Sequence, residues 1–284
     1  MNQLILSEPT PAIAERARIA DERVGGHLRV RSGTDFIVLC CVLLVSVCLR
    51  SNAAQGEATF ESGEGQTNLI ELYTSEGCSS CPPAEVWLGN LRNTPGLWSS
   101  FVPVAFHVDY WNNLGWPDRF SSPEFTARQR AYAGSWKSAS VYTPAFVLNG
   151  AEWRRPGEVP TSADTNPGRL RVSLRASGDV DVTFDPVVTL KGPFRVAVVP
   201  LAMGVTTNVK RGENSGRTLR HDFLALGISH GALAEVGGGE WKGRIALPTN
   251  PEAACSALAV WIYSPEKAVV QATGGLIGEA SATR

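Results

Sequence analysis

The sequence has almost no surplus charge, no internal repeat and only one CxxC pair, and each shortage removes a class of function. Lys+Arg 26 against Asp+Glu 27 leaves a net charge of −1 over 284 residues. No basic field therefore exists to hold nucleic acid or an anionic membrane. The one long apolar run, Phe36 to Leu49, has fourteen residues, short of the roughly 20 that a spanning helix needs. A lone Cys78-Ser79-Ser80-Cys81 cannot close a four-ligand zinc site, and the absence of a second CxxC excludes a zinc ribbon. No internal repeat is strong enough to change the fold read from the strand and helix patterns. What is present is 43% hydrophobic content, enough for a real core, in a length that favours two modest domains.

The apolar run follows Arg29 and Arg31 and precedes Ser51-Asn52-Ala53-Ala54, whose small residues suit signal-peptidase cleavage. Residues 1–54 therefore read as an N-terminal extension and signal peptide, with a mature chain beginning near Ala54 or Gln55. A membrane anchor is the rival reading. Lipidation at Cys48 is disfavoured by the bulky Val47 before it. Cleavage removes Cys40, Cys41 and Cys48 and leaves Cys78, Cys81 and Cys255. An exported, periplasmic chain meets an oxidising compartment, which predicts a 78–81 disulfide and a spare thiol at Cys255.

Past a polar linker at 55–67, Asn68 to Thr74 is a β-rich run ending in the Ser75-Glu76-Gly77 loop. The cysteines come next, then Ala84, Trp87, Leu88 and Leu91 at helical spacing, with Pro82-Pro83 fit only for the first turn. Phe101 to Asp109 reads as a strand covered on both faces. Ser121-Ser122-Pro123-Glu124 caps a helix to about Ala133. Val141 to Leu148 is a strand interrupted by Pro144, and Asn149-Gly150 is a hairpin turn. Strand, CxxC, helix, strand, helix, Pro-containing strand and hairpin is the thioredoxin layout, placed at 68–153. Residues 154–168 are Pro-, Gly-, Ser- and Thr-rich and read as a linker. From 169 to 284, short alternating runs separated by turns predict an all-β accessory domain. The expected fold class is thus an α/β thioredoxin-like domain, a mixed sheet with flanking helices, followed by an all-β, sandwich-like C-terminal domain.

The stretches ELYTSEGCSSCPPAEVWL, FHVDYWNNLGW, RQRAY, VYTPAFVLNG and VKRGENSGRTL resemble those of the domain of unknown function 1223 family, exported bacterial proteins, over about residues 68 to 275. The resemblance implies a thioredoxin-like fold and leaves the reaction open. The chain departs from the family pattern at Asn112, where Asp is more usual, and at Ala145, where Gln is more usual.

A thiolate is needed for thiol–disulfide exchange, and an unperturbed cysteine has a pKa of about 8.5. A helix N-terminus favours the anion, so Cys78 is expected to be the nucleophile and Cys81 the resolving thiol. Pro82 pushes the residue before it out of the α region. Cys81 is therefore expected in a turn outside the helix, its disulfide either strained and oxidising or buried and inert. The thioredoxin likeness implies a cis bond at Thr143-Pro144 facing the cysteines, where the Thr143 backbone could pair with an extended substrate. Glu71, in the first strand, is a candidate to relay the proton of Cys81, with a solvated strand glutamate as the alternative. Tyr110, Trp111 and Trp116, with Leu114, form an aromatic loop that would serve as a substrate-binding lip or simply as packing. His107 and Asp109 share a strand face. They read either as a hydrogen-bonded core pair or, with His107 joining Cys78 and Cys81, as part of a copper site. Residues 208 to 220 are basic and Gly-containing, expected as a solvated hairpin loop rather than an anion site or a cover for the CxxC.

These residues predict an exported thiol–disulfide oxidoreductase acting on protein thiols or disulfides of the cell envelope, with catalytic residues Cys78, Cys81, Pro144, Thr143 and Glu71. It calls on no cofactor and no metal. The alternatives are copper binding or delivery through Cys78, Cys81 and His107, and a non-catalytic interaction module.

Overall fold

The structure, a computed structural model, describes residues 58–154, 156–159, 165–187, 190 and 192–278, all within the compact unit Ala53–Arg284. The apolar segment 36–49 and the cleavage point expected near Ala54 or Gln55 lie outside the described residues. Among the described residues no helix is long and apolar enough to cross a membrane.

The stretch expected to be a polar linker contains a strand, β1 (Ala58–Glu61). β2 (Asn68–Thr74) is buried at every position, as its continuous apolar run requires. Helix α1 (Pro82–Asn90) starts directly behind Cys81, its two prolines at the positions where a missing N–H costs nothing. β3 (Phe101–His107) runs parallel to β2, in register from Asn68 opposite Phe101 to Thr74 opposite His107. Helix α2 (Pro123–Ser135) is capped by Ser122, whose hydroxyl accepts the Glu124 N–H at 3.2 Å. β4 (Ala145–Leu148) returns antiparallel to β2. Asn149 and Gly150 then turn the chain with φ of 50° and 88°, values that suit Asn and Gly. The turn leads into β5 (Ala151–Glu152).

The remaining strands are β6 (Gly168–Leu174), β7 (Asp179–Pro186), β8 (Arg195–Ala202), β9 (Val205–Asn208), β10 (Thr218–His221), β11 (Leu224–Ala225), β12 (Ser229–Ala232), β13 (Ala234–Gly237), β14 (Glu240–Ala246), β15 (Ala257–Tyr263) and β16 (Gln271–Leu276). A nine-stranded sheet has the order β16-β15-β8-β11-β3-β2-β4-β5, with β12 also on β8; β1-β6-β7-β14-β13 form a second sheet, and β9 and β10 a hairpin.

The expected fold class needs correction. The described residues are mainly β with several sheets, and among them no α/β thioredoxin-like domain with flanking helices stands apart from an all-β sandwich-like domain. Strands on either side of 154–168 belong to one sheet. β11 joins them, with Leu224 opposite Ala105 of β3 in parallel and opposite Ala202 of β8 in antiparallel pairing. Two residues are too few to show a period, so this junction has no signature in the sequence.

Side-chain alternation explains how the sheet feeds two cores. On β8, Val196 and Val198 face the second sheet and pack with Val182, Phe184 and Val260. Ala197 and Val199 face the other way and pack with Leu72, Phe106 and Trp261. β8 is therefore apolar without alternation, whereas β6 and β7, covered on one face, alternate buried and half-buried residues.

Candidate functional site

Cys78 and Cys81 occupy the turn between β2 and α1. The turn is held by Cys78 N–H to Ser75 O at 3.1 Å and Cys81 N–H to Cys78 O at 3.2 Å. Cys81 is the N-cap of α1 with helical angles, φ −76° and ψ −36°, and its carbonyl accepts the N–H groups of Ala84 and Glu85. The expected displacement out of the α region before Pro82 does not occur, because these two bonds hold the backbone against the proline's steric bias. Both sulfurs are free thiols without accessible surface, while Ser79 and Ser80 between them are exposed.

The two thiols are unequal. A hydrogen bond from Cys81 stabilises the Cys78 thiolate and, against burial, brings its pKa down to about 6, with help from the hydroxyls of Ser80, 3.3 Å from the sulfur, and Thr143. Burial pushes Cys81 up, and the bond it gives to Cys78 pushes it further.

Thr143-Pro144 is cis, and the Thr143 hydroxyl both reaches Cys78 and accepts the Trp111 indole N–H at 2.7 Å. Trp116 likewise spends its N–H inward, on Glu76 Oε2 at 2.7 Å, and Tyr110 donates to Gln129 Oε1 at 3.3 Å. Burial raises the Tyr110 hydroxyl to about 12. Of the expected lip, Leu114 is the exposed member; the aromatic rings are half-buried and anchor the loop. Asn112 joins the same scaffold, donating to Ser121 Oγ and accepting from Asp118 N–H.

Glu71 does not sit with Cys81. Its carboxylate accepts from Arg128 at 2.8 and 3.0 Å, from Tyr73 at 2.9 Å and from Tyr132 at 2.7 Å. Side chains alternate across a strand, so residue 71 projects to the α2 face and residue 74 to the α1 face, where Thr74 meets Cys81. A one-residue offset along β2 therefore sends the acid to the wrong side for a relay.

The acids that do lie near Cys81 were not singled out in the sequence. Thr74 Oγ1 donates to Glu85 Oε1 at 2.7 Å, and His221 bridges Glu85 Oε2 at 2.6 Å and Glu76 Oε1 at 3.1 Å. Burial disfavours a charged His221, but the two carboxylates outweigh it and lift its pKa to about 10. Glu85 is buried too, a penalty that His221 more than offsets, leaving it below the usual carboxylate range. His107 Nδ1 bonds Asp118 Oδ2 at 2.7 Å. Burial opposes its charge, and Asp118 prevails and raises it. The expected hydrogen-bonded histidine is therefore present, with Asp118 as partner; Asp109 instead accepts from Thr126 Oγ1. The copper alternative loses its geometry. Among the described residues, the donor group that includes His107 is completed by Glu85 and His221, not by Cys78 and Cys81.

Glu85 carried one readable signal, since it lies four residues after Cys81 and so on the same helix face. His221 carried none, because β10 reaches the site only through the β9–β10 hairpin. That hairpin's loop also folds onto the CxxC turn, rather than standing in solvent as expected. Asn214 is buried and donates to Glu76 O and Cys78 O, each at 2.9 Å, and Glu213 accepts the Ser79 N–H at 3.1 Å. Gly115 permits the approach, as a Cβ there would lie 3.2 Å from Gly212 Cα.

A dithiol turn under a hairpin cover, with buried acids and imidazoles behind it, is the centre of this fold. The chain belongs to the family of proteins of unknown function DUF1223, which matches residues 69–263. The crystal structure of protein AGR_C_4864 from Agrobacterium tumefaciens is similar in fold at 24% identity, with 78% of this chain and 99% of that chain covered and a TM-score of 0.52. HBP35 of Porphyromonas gingivalis is similar at 13% identity, covering 78% of this chain and 79% of its own, with a TM-score of 0.51. No curated protein matches the chain.

Proposed function

We propose that the protein performs thiol–disulfide exchange on protein substrates of the cell envelope after export to the periplasm. The observation that carries this reading is the opposed acidity of the two thiols in one turn, with Cys78 at about 6 and Cys81 raised. A Cys78 thiolate attacks a substrate disulfide, and one substrate sulfur leaves as thiolate. Cys81 then loses its proton and attacks the Cys78 sulfur, closing a 78–81 disulfide and releasing the second substrate thiol. Two electrons pass to the substrate, and the reverse sequence oxidises a substrate dithiol. Thr143 and Trp111 support the nucleophile, Thr143 by a direct hydrogen bond and Trp111 by fixing that hydroxyl.

Trapping tests the reading. Cys81→Ser accumulates mixed disulfides with envelope proteins and Cys78→Ser does not, because only the resolving thiol releases the intermediate. Equal trapping by both variants, or none by either, removes the reading. Export rests on the apolar segment 36–49 and is checked by N-terminal sequencing, with a start near Ala54 or Gln55 expected.

A further inference from the structure

The two buried histidines behind the dithiol both bond carboxylates, His107 at Nδ1 to Asp118, and His221 at Nε2 to Glu76 and at Nδ1 to Glu85. A carboxylate on one imidazole nitrogen is how proteins orient a histidine whose other nitrogen binds a metal, and here the arrangement occurs twice. The nitrogens that would face a common partner are His107 Nε2 and His221 Nδ1, the latter exchanging its 2.6 Å bond to Glu85 Oε2 for the ion. With a Glu85 oxygen, donor atoms of the three residues all lie within 4.8 Å of one another. Thr74 holds Glu85 Oε1, so Oε2, now bonded to His221 Nδ1, is the oxygen that would turn with it to the ion. His107 Nε2 points independently to a ligand: it is buried and, among the described residues, has no hydrogen-bond partner. A polar atom left in that state costs free energy that a bound cation removes.

We propose that Glu85, His107 and His221 form a binding site for a divalent transition-metal ion of the zinc class, with Asp118 and Glu76 as its outer carboxylates. Two imidazoles and one carboxylate are a zinc donor set, and three protein ligands leave a fourth position open. The rings of His107 and His221 are 5.0 Å apart and nearly perpendicular, with Phe120 packed edge-on against His107. An apolar wall of this kind lowers the local dielectric and strengthens ligation. The site is distinct from the thiol pair and would bind metal whether or not the dithiol exchanges disulfides.

The experiment uses the Cys78→Ser/Cys81→Ser double variant, so that the thiols of the turn cannot hold the ion. Zinc is titrated calorimetrically into this protein and the bound ion is characterised by X-ray absorption. The expected result is a single equivalent with only nitrogen and oxygen neighbours at about 2.0–2.2 Å and the multiple scattering of imidazole. Added His107→Gln abolishes binding, and added Asp118→Asn weakens it about 10- to 100-fold. Failure of the folded double variant to bind zinc overturns the proposal. So does a sulfur neighbour, or a bound ion without imidazole, and these two readouts need no further variant to fold. Neither result bears on mixed-disulfide trapping, which needs Cys78.

Discussion

Cys78 and Cys81 are the same side chain in the same turn, and their difference comes from who donates to whom. Cys81 gives its hydrogen bond to Cys78, so the anion settles on Cys78 and the proton stays on Cys81. The rate of Cys78 alkylation by a small reagent should therefore follow an apparent pKa of about 6, falling away below that pH and level above it. In Cys81→Ala the donor is gone, and the midpoint should move up towards about 8.5. Glu71 supplies the contrast. Its carboxylate and Arg128 form a buried pair, and breaking such a pair costs about 3–5 kcal/mol. Glu71→Gln should therefore lower the denaturation midpoint yet leave the Cys78 titration in place; a shifted titration would return Glu71 to the site. The CxxC and its helix were legible because their spacing is local. The face on which Glu71 falls depended on the register of β2, which a single-residue offset inverts.

At the scale of elements, strands with a strong apolar pattern were legible to within a residue or two: Asn68 to Thr74 is β2, and Phe101 to His107 is β3. The 208 to 220 segment was not, because a loop rich in Lys, Arg and Gly carries the same pattern whether it faces water or another loop. Its docking depends on Asn214, whose amide donates to two carbonyls of the CxxC turn. Asn214→Ala takes its donor from Glu76 O and leaves Cys78 O to the Cys81 N–H, a loss of about 1–3 kcal/mol, and loosens the cover over Cys78. Alkylation of Cys78 should accelerate at fixed pH as stability falls. An unchanged rate would mean that the cover is held elsewhere.

For the whole molecule, the β2–β3 pair and the CxxC turn lean on residues far along the chain. Ala197, Val199, Phe223 and Trp261 complete the core under Leu72 and Phe106, and β11 supplies the neighbour that β3 needs. A fragment ending at residue 153 should therefore show no cooperative unfolding transition, whereas the chain from Ala54 to its end should unfold with one. A cooperative transition in the short fragment would restore the two-domain expectation. That expectation came from a composition shift at 154–168, which says nothing about which strands pair across it.

The cover of the dithiol and the histidine behind it both come from the β9–β10 hairpin, Asn214 from its loop and His221 from its end. A chain is made from its N-terminus, so the cysteines leave the ribosome long before the segment that shields them. During that interval Cys78 and Cys81 have neither hairpin nor His221 over and behind them. The cover is acquired late in synthesis, and a product truncated before residue 214 would carry the motif without its protection.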